Sequence, residues 1–131
     1  MKLLSKAHFE QLLHNGRRQA AVRGTPDELD FKPVVKLFNP CGAGTWLLTE
    51  LEPDEPDIAW GLCDLGMGTP EFGTVSLSEL GSYRSRIGLG IERDLYFKAM
   101  APISAYIDAA FKAGHIVERL PQKAEQAGGA P

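Results

Sequence analysis

The sequence predicts an α+β domain: a small antiparallel meander sheet of three to four strands, with N-terminal and C-terminal helices packed on one of its faces. Three observations predict it. Apolar residues recur at helical spacing near both ends, at Phe9, Leu12 and Leu13 and again at Ile103, Tyr106, Ile107, Ala110 and Phe111. Between these helices lie short stretches of β-forming residues at strand length. Each stretch is closed by a turn rich in Gly, Pro, Asn or Asp, and no internal repeat breaks the order.

The first helix begins after Ser5, a residue whose side chain can cap a helix start, and Asn15-Gly16 reads as its stop because Gly accepts the left-handed conformation beyond a helix end. A second short helical turn over 17–22 ends at Gly24, and Thr25-Pro26-Asp27 is a turn. Pro33 biases Lys32 to extended backbone, and 34–38 follows as a strand. After the loop 39–44 comes a strand over 45–52, with Trp46, Leu48, Glu50 and Glu52 on one face and Thr45, Leu47, Thr49 and Leu51 on the other. Residues 53–57, PDEPD, read as a turn outside any ladder.

A third strand spans 58–65, with Ile58, Trp60, Leu62 and Asp64 on one face. After the loop 66–70 comes a short fourth strand, 72–75. Ser76 and Glu79 have capping-box spacing and start a helix at Leu77 that ends near Tyr83. Residues 87–90 are a loop and 91–97 are extended. The last helix begins near Pro102, which suits a first turn, and Gly114 ends it.

A chain of 131 residues fits one domain, expected over 1–119, while 120–131 has nothing to bury and is expected to be a disordered tail. Apolar runs are too short for a membrane-spanning helix, so no membrane partner is expected. The start has no apolar core followed by a cleavage site, so the expected location is cytoplasmic. Cys41 and Cys63 are expected to be free thiols; they lack CxxC spacing and the three histidines do not cluster with them, so no metal and no cofactor are expected.

Charge is unevenly spread. No Lys or Arg occurs between Lys36 and Arg84, while Glu50, Glu52, Asp54, Glu55, Asp57, Asp64, Glu71 and Glu79 all fall there. The segments on either side are mildly basic. An acidic surface of this kind can occupy a nucleic-acid-binding protein by the same Coulomb attraction that draws such a protein to phosphates. A solvated sheet edge is the plainer reading of the same acids. Trp46 and Trp60 add an aromatic patch if their two faces coincide. Asp54, Glu55, Asp57 and Asp64 could hold a hard metal through oxygen ligands, but their spacing is not that of an EF-hand loop. Cys41 in its Gly-rich loop could be a thiol nucleophile, but the histidines lie far away in sequence. Arg17 and Arg18 with Arg23, and Arg84 with Arg86, are too few and too interleaved with neutral residues for a basic stripe, so direct nucleic-acid binding is not expected.

The blocks VVKLFNP, TWLLTELEPDEPDIAWGLCDLG, PEFGTVSLSEL and GLGIERDLYF, in that order, resemble the small bacterial proteins grouped as domain of unknown function 2958. The resemblance covers roughly residues 8–100, and Trp60 to Gly66 stands where many members have a block close to FGLCDLG. It implies no reaction. It implies an association with plasmids and integrative elements, among anti-restriction and other accessory genes. The expectation is therefore a non-enzymatic protein-binding module of mobile elements that inhibits a host defence complex of restriction or CRISPR type. Its expected partner surface is Trp46, Glu50, Glu52, Asp54, Glu55 and Asp57, with no catalytic residue. The alternatives are a small enzyme using Cys41 or the carboxylates, and a nucleic-acid-binding accessory protein.

Overall fold

A computed structural model describes residues 3–121. The elements are α1 (Lys6–Ala20), β1 (Val35–Phe38), β2 (Thr45–Glu52), β3 (Glu55–Asp64), β4 (Glu71–Ser76), α2 (Leu77–Ser82), β5 (Glu92–Arg93) and α3 (Ile103–Ala113). The α+β class holds, with one strand more than expected. All pairings are antiparallel and the sheet order is β4-β3-β2-β1-β5, so the last strand returns to the far edge instead of extending the meander.

The helices cover both faces of the sheet, not one. On the first face α1, α2 and the N-terminal Leu3 and Leu4 bury Val35, Leu37, Trp46, Leu48, Leu51 and Ala59. On the second face α3 places Ile103, Tyr106 and Ala110 on Leu47 and Leu62. Leu47 and Leu62 are fully buried, and each contributes about 1.5–3 kcal/mol relative to an exposed side chain. Phe111, at the end of the helical stripe, stays 60% exposed.

Ser5 caps α1 as expected, accepting from the His8 backbone N–H at 3.0 Å. The helix then runs through Asn15 and Gly16 without a stop. Both residues face β2. Asn15 Nδ2 donates to the Thr49 carbonyl at 2.9 Å, and a Cβ on Gly16 would sit 1.8 Å from the Leu51 carbonyl oxygen. Gly16 is there because the helix and the strand backbone touch, and long-range contact overrides the local stop signal.

The chain then passes to the second face. Gln19 holds the crossing segment by donating to the Leu29 carbonyl and accepting from the Leu29 N–H, each at 2.8 Å. The Phe31 carbonyl accepts from Ile103 N–H at 2.7 Å, and the Asp30 carboxylate accepts from Ser104 N–H at 3.0 Å. Asp30 thus caps α3 from a distance, because Pro102 offers no capping side chain. Gly114 ends α3 at φ 82°, a left-handed conformation suited to glycine.

The β2–β3 connection is tighter than expected. Pro53 and Asp54 form the turn, and Glu55 to Asp57 already belong to β3. Pro56 is tolerated because β4 pairs with β3 only from Ile58 onward. Ser76 caps α2 by accepting from Glu79 N–H at 3.2 Å. The expectation of a tail beyond Leu120 falls, after Pro121, outside the described residues. No helix among the described residues is long and apolar enough to cross a membrane.

Candidate functional site

The site follows from one irregularity in β2. Leu48 pairs with Gly61 and Glu50 with Trp60, so β2 advances two residues while β3 advances one. Thr49 is the extra residue, a β-bulge. It reverses the alternation: Trp46 and Leu48 point to the first face, and Glu50 points to the second, beside Trp60. The expected set of Trp46, Leu48, Glu50 and Glu52 on one face is therefore corrected, and the faces of Trp46 and Trp60 do not coincide.

Glu50 is buried, 1% exposed, and would be costly there if unpaired. Arg23, on the segment after α1, reaches it with Nη2 at 2.9 Å from Oε2. The Thr49 hydroxyl donates to its other carboxylate oxygen. The same guanidinium lies over the Trp60 ring, 4.2 Å from the centroid, and the Trp60 indole N–H donates to Glu52 at 2.8 Å. Trp60 stacks on Phe72 of β4, centroids 6.0 Å apart, and Phe72 is 37% exposed. The outer half of the second face thus carries a half-open aromatic pair, one guanidinium committed to a buried carboxylate, and the acidic end of the β2–β3 hairpin.

The six expected partner residues divide. Trp46 is 6% exposed and belongs to the first-face core, and Glu50 is inside the Arg23 pair. Asp54 and Glu55 are exposed at the hairpin tip, with half-buried Glu52 beside them. Asp57 is half-buried and braces the start of α2, accepting from Ser76 Oγ at 2.7 Å and from Ser78 N–H at 2.9 Å. The hydrogen bond from the Ser76 hydroxyl, joined by those from Ser78, holds its carboxyl below the ordinary aspartate value against an opposing desolvation. Arg23 and Phe72 were missing from the expected surface. Phe72 could have been found, since it alternates with Thr74 on the strand after Trp60; Arg23 lies 27 residues from Glu50 and gives no such signal.

The other candidates separate. Cys41 is exposed, and Cys63 is half-buried with its thiol pushed up to about 11 by burial and by nearby Glu71, so it stays protonated near neutrality. Asp64 is buried and structural: it accepts from Gly66 N–H at 2.8 Å and Ile116 N–H at 2.9 Å, fastening the segment after α3 to the end of β3. Asp54, Asp57 and Asp64 do not converge, and among the described residues no group of three or more His, Cys, Asp or Glu is placed to hold a metal ion. Arg17 and Arg18 lie exposed on α1, and Arg84 donates to the Gly81 and Tyr83 carbonyls. A larger groove, about 1190 Å³, runs along α3 past Met100, Ala105, Ala109 and Leu120. Its walls are mostly apolar and it lies apart from the aromatic and acidic groups above, so its size alone assigns it no chemistry.

Comparisons with curated proteins and with solved structures each return no match. A comparison with family models returns one that covers residues 3–117, a wider span than the sequence blocks, and one that takes in α3. On that match the chain belongs to the family described as "Protein of unknown function (DUF2958)".

Proposed function

We propose that this protein is a binding module carried by plasmids or integrative elements, and that it occupies a nucleic-acid-binding complex of the host's defence, of restriction or CRISPR type. One observation carries the reading. The half-exposed Trp60–Phe72 pair is bordered by the exposed acids Asp54 and Glu55 and by Glu52, in a half of the chain that has no Lys or Arg between Lys36 and Arg84. Aromatic side chains supply contact area at low conformational cost, and an acidic rim selects a basic partner and speeds encounter. The contact surface in this proposal is Trp60, Phe72, Glu52, Asp54 and Glu55. Asp57 supports α2 beside it.

Affinity capture from an extract of the native host tests the reading. A defence complex retained at low salt and released as salt rises is the expected result. Capture of no such complex, or retention indifferent to salt, speaks against it. Retention of the purified protein on DNA would favour the accessory-protein reading instead.

A further inference from the structure

β4 is the edge of the sheet on its acidic side. It pairs with β3 over six consecutive positions, and among the described residues no strand lies beyond it. Along such an edge, alternate residues turn their N–H and C=O groups outward, a template for one more strand. Edges are usually blunted by lysine, proline within the strand, a bulge or a covering helix. β4, EFGTVS, has no lysine or proline, and its pairing with β3 shows no register break. Phe72 and Thr74 are exposed on the second-face side, and a Cβ on Gly73 would meet nothing within 4 Å.

We infer that β4 accepts an extended, basic segment of the partner as a sixth strand. The inference rests on the binding reading above and specifies its mode. Main-chain hydrogen bonds to the edge supply affinity, and the alternating side chains supply selection. On the second-face side the added strand runs beside Phe72 and Thr74, where an arginine stem covers the aromatic pair. On the first-face side it passes Glu71, which is exposed and takes a cation directly opposite. A second copy of this chain is the poorer occupant, because its β4 has no Lys or Arg to set opposite Glu71. Arg23 does not offset this charge, being already paired with Glu50.

The test is an amide chemical-shift titration of the full chain with an acetylated, amidated ten-residue peptide in which Arg-Arg and Val-Val pairs alternate, so that arginines face both sides of the strand, with a peptide of Glu-Glu and Val-Val pairs as control. The expected result is saturable shifts and slowed amide exchange at alternate residues of 71–76 with the basic peptide only. Of G73P and T74P, one removes an N–H from the β3 ladder and the other an N–H from the open edge. The variant that keeps its thermal midpoint should lose binding at least tenfold. If neither variant folds, the alternating exchange pattern in the wild type decides. Binding with shifts confined to the hairpin tip, equal response to both peptides, or no response at millimolar peptide each overturns the inference. So does a dimer in sedimentation that the edge proline dissolves. Capture of a host complex with an unresponsive β4 overturns this mode and leaves the binding reading standing; a responsive β4 with no complex captured does the reverse.

Discussion

The Trp60 ring lies under the Arg23 guanidinium, 4.2 Å from its centroid, because the bulge at Thr49 turns Glu50 toward the same face and Glu50 holds Arg23 there. The contact joins the segment after α1, the middle of β2 and the middle of β3. It also separates what supports the fold from what faces solvent: Glu50 is enclosed, while the Trp60–Phe72 pair remains open on its outer side.

Removing Arg23 strands a buried carboxylate. R23A should lower unfolding free energy by about 3 kcal/mol, the lower end for a broken buried pair because the Arg23 side chain keeps 29% exposure. R23M/E50L, which removes both charges, should recover most of that loss. Urea unfolding followed by tryptophan fluorescence measures both, and the emission of R23A should also change because Trp60 loses its cation.

Two glycine-to-alanine changes should differ in outcome. In G16A the new methyl falls 1.8 Å from the Leu51 carbonyl oxygen, so α1 must lift from β2. A loss of about 1–3 kcal/mol is expected, exceeding the gain of about 1 kcal/mol that alanine brings to a helix interior. In G73A the methyl meets nothing, and stability should stay within about 0.5 kcal/mol of wild type. Thermal midpoints of the two proteins test the contrast.

Asp57 gives a pH signature. Its pKa is depressed in the folded state by Ser76 and Ser78, so its contribution to stability is fully present above the ordinary value of 3.8 and is lost as pH falls from there through the folded value. D57N should be less stable than wild type at pH 7, and the difference should narrow as pH drops below about 4. Unfolding midpoints measured across pH 2.5–7 in the two proteins check the direction.

The two thiols should react unequally. Cys41 is exposed, while Cys63 is half-buried with its thiol pushed up to about 11. At pH 8 a mild alkylating reagent should modify Cys41 in the native protein and reach Cys63 only after denaturation. Peptide mass mapping of the labelled chain reads the result.

Much of the fold was legible where local chemistry decides. Ser5 and Ser76 mark helix starts through their capping oxygens, Gly114 marks an end through its positive φ, and Gly- and Pro-containing turns separate the first four strands. The misread features all depend on distant residues. Asn15-Gly16 looks like a stop until Leu51 lies against it. β5 is two residues long and exists only through its pairing with Leu37 and Phe38. Thr49-Glu50 reads as plain alternation, since a bulge leaves no compositional mark. The double covering of the sheet did leave a trace: Trp46 to Leu51 are buried without interruption, as WLLTEL with leucines on both alternations suggests. In the candidate site the exposure of Asp54 and Glu55 follows from a turn sequence. The enclosure of Trp46 and Glu50 follows from the bulge and from Arg23, which no local pattern announces.

The binding face itself is tested most directly by titrating the captured host complex against wild type and against D54K/E55K, both shown to be folded. The side chains of Asp54 and Glu55 are exposed and make no hydrogen bond or ion pair with the described residues, so reversing them should leave stability nearly unchanged. The account predicts that affinity falls about tenfold or more, with a weaker salt dependence in the variant. Equal affinity and equal salt dependence in the two proteins would contradict it.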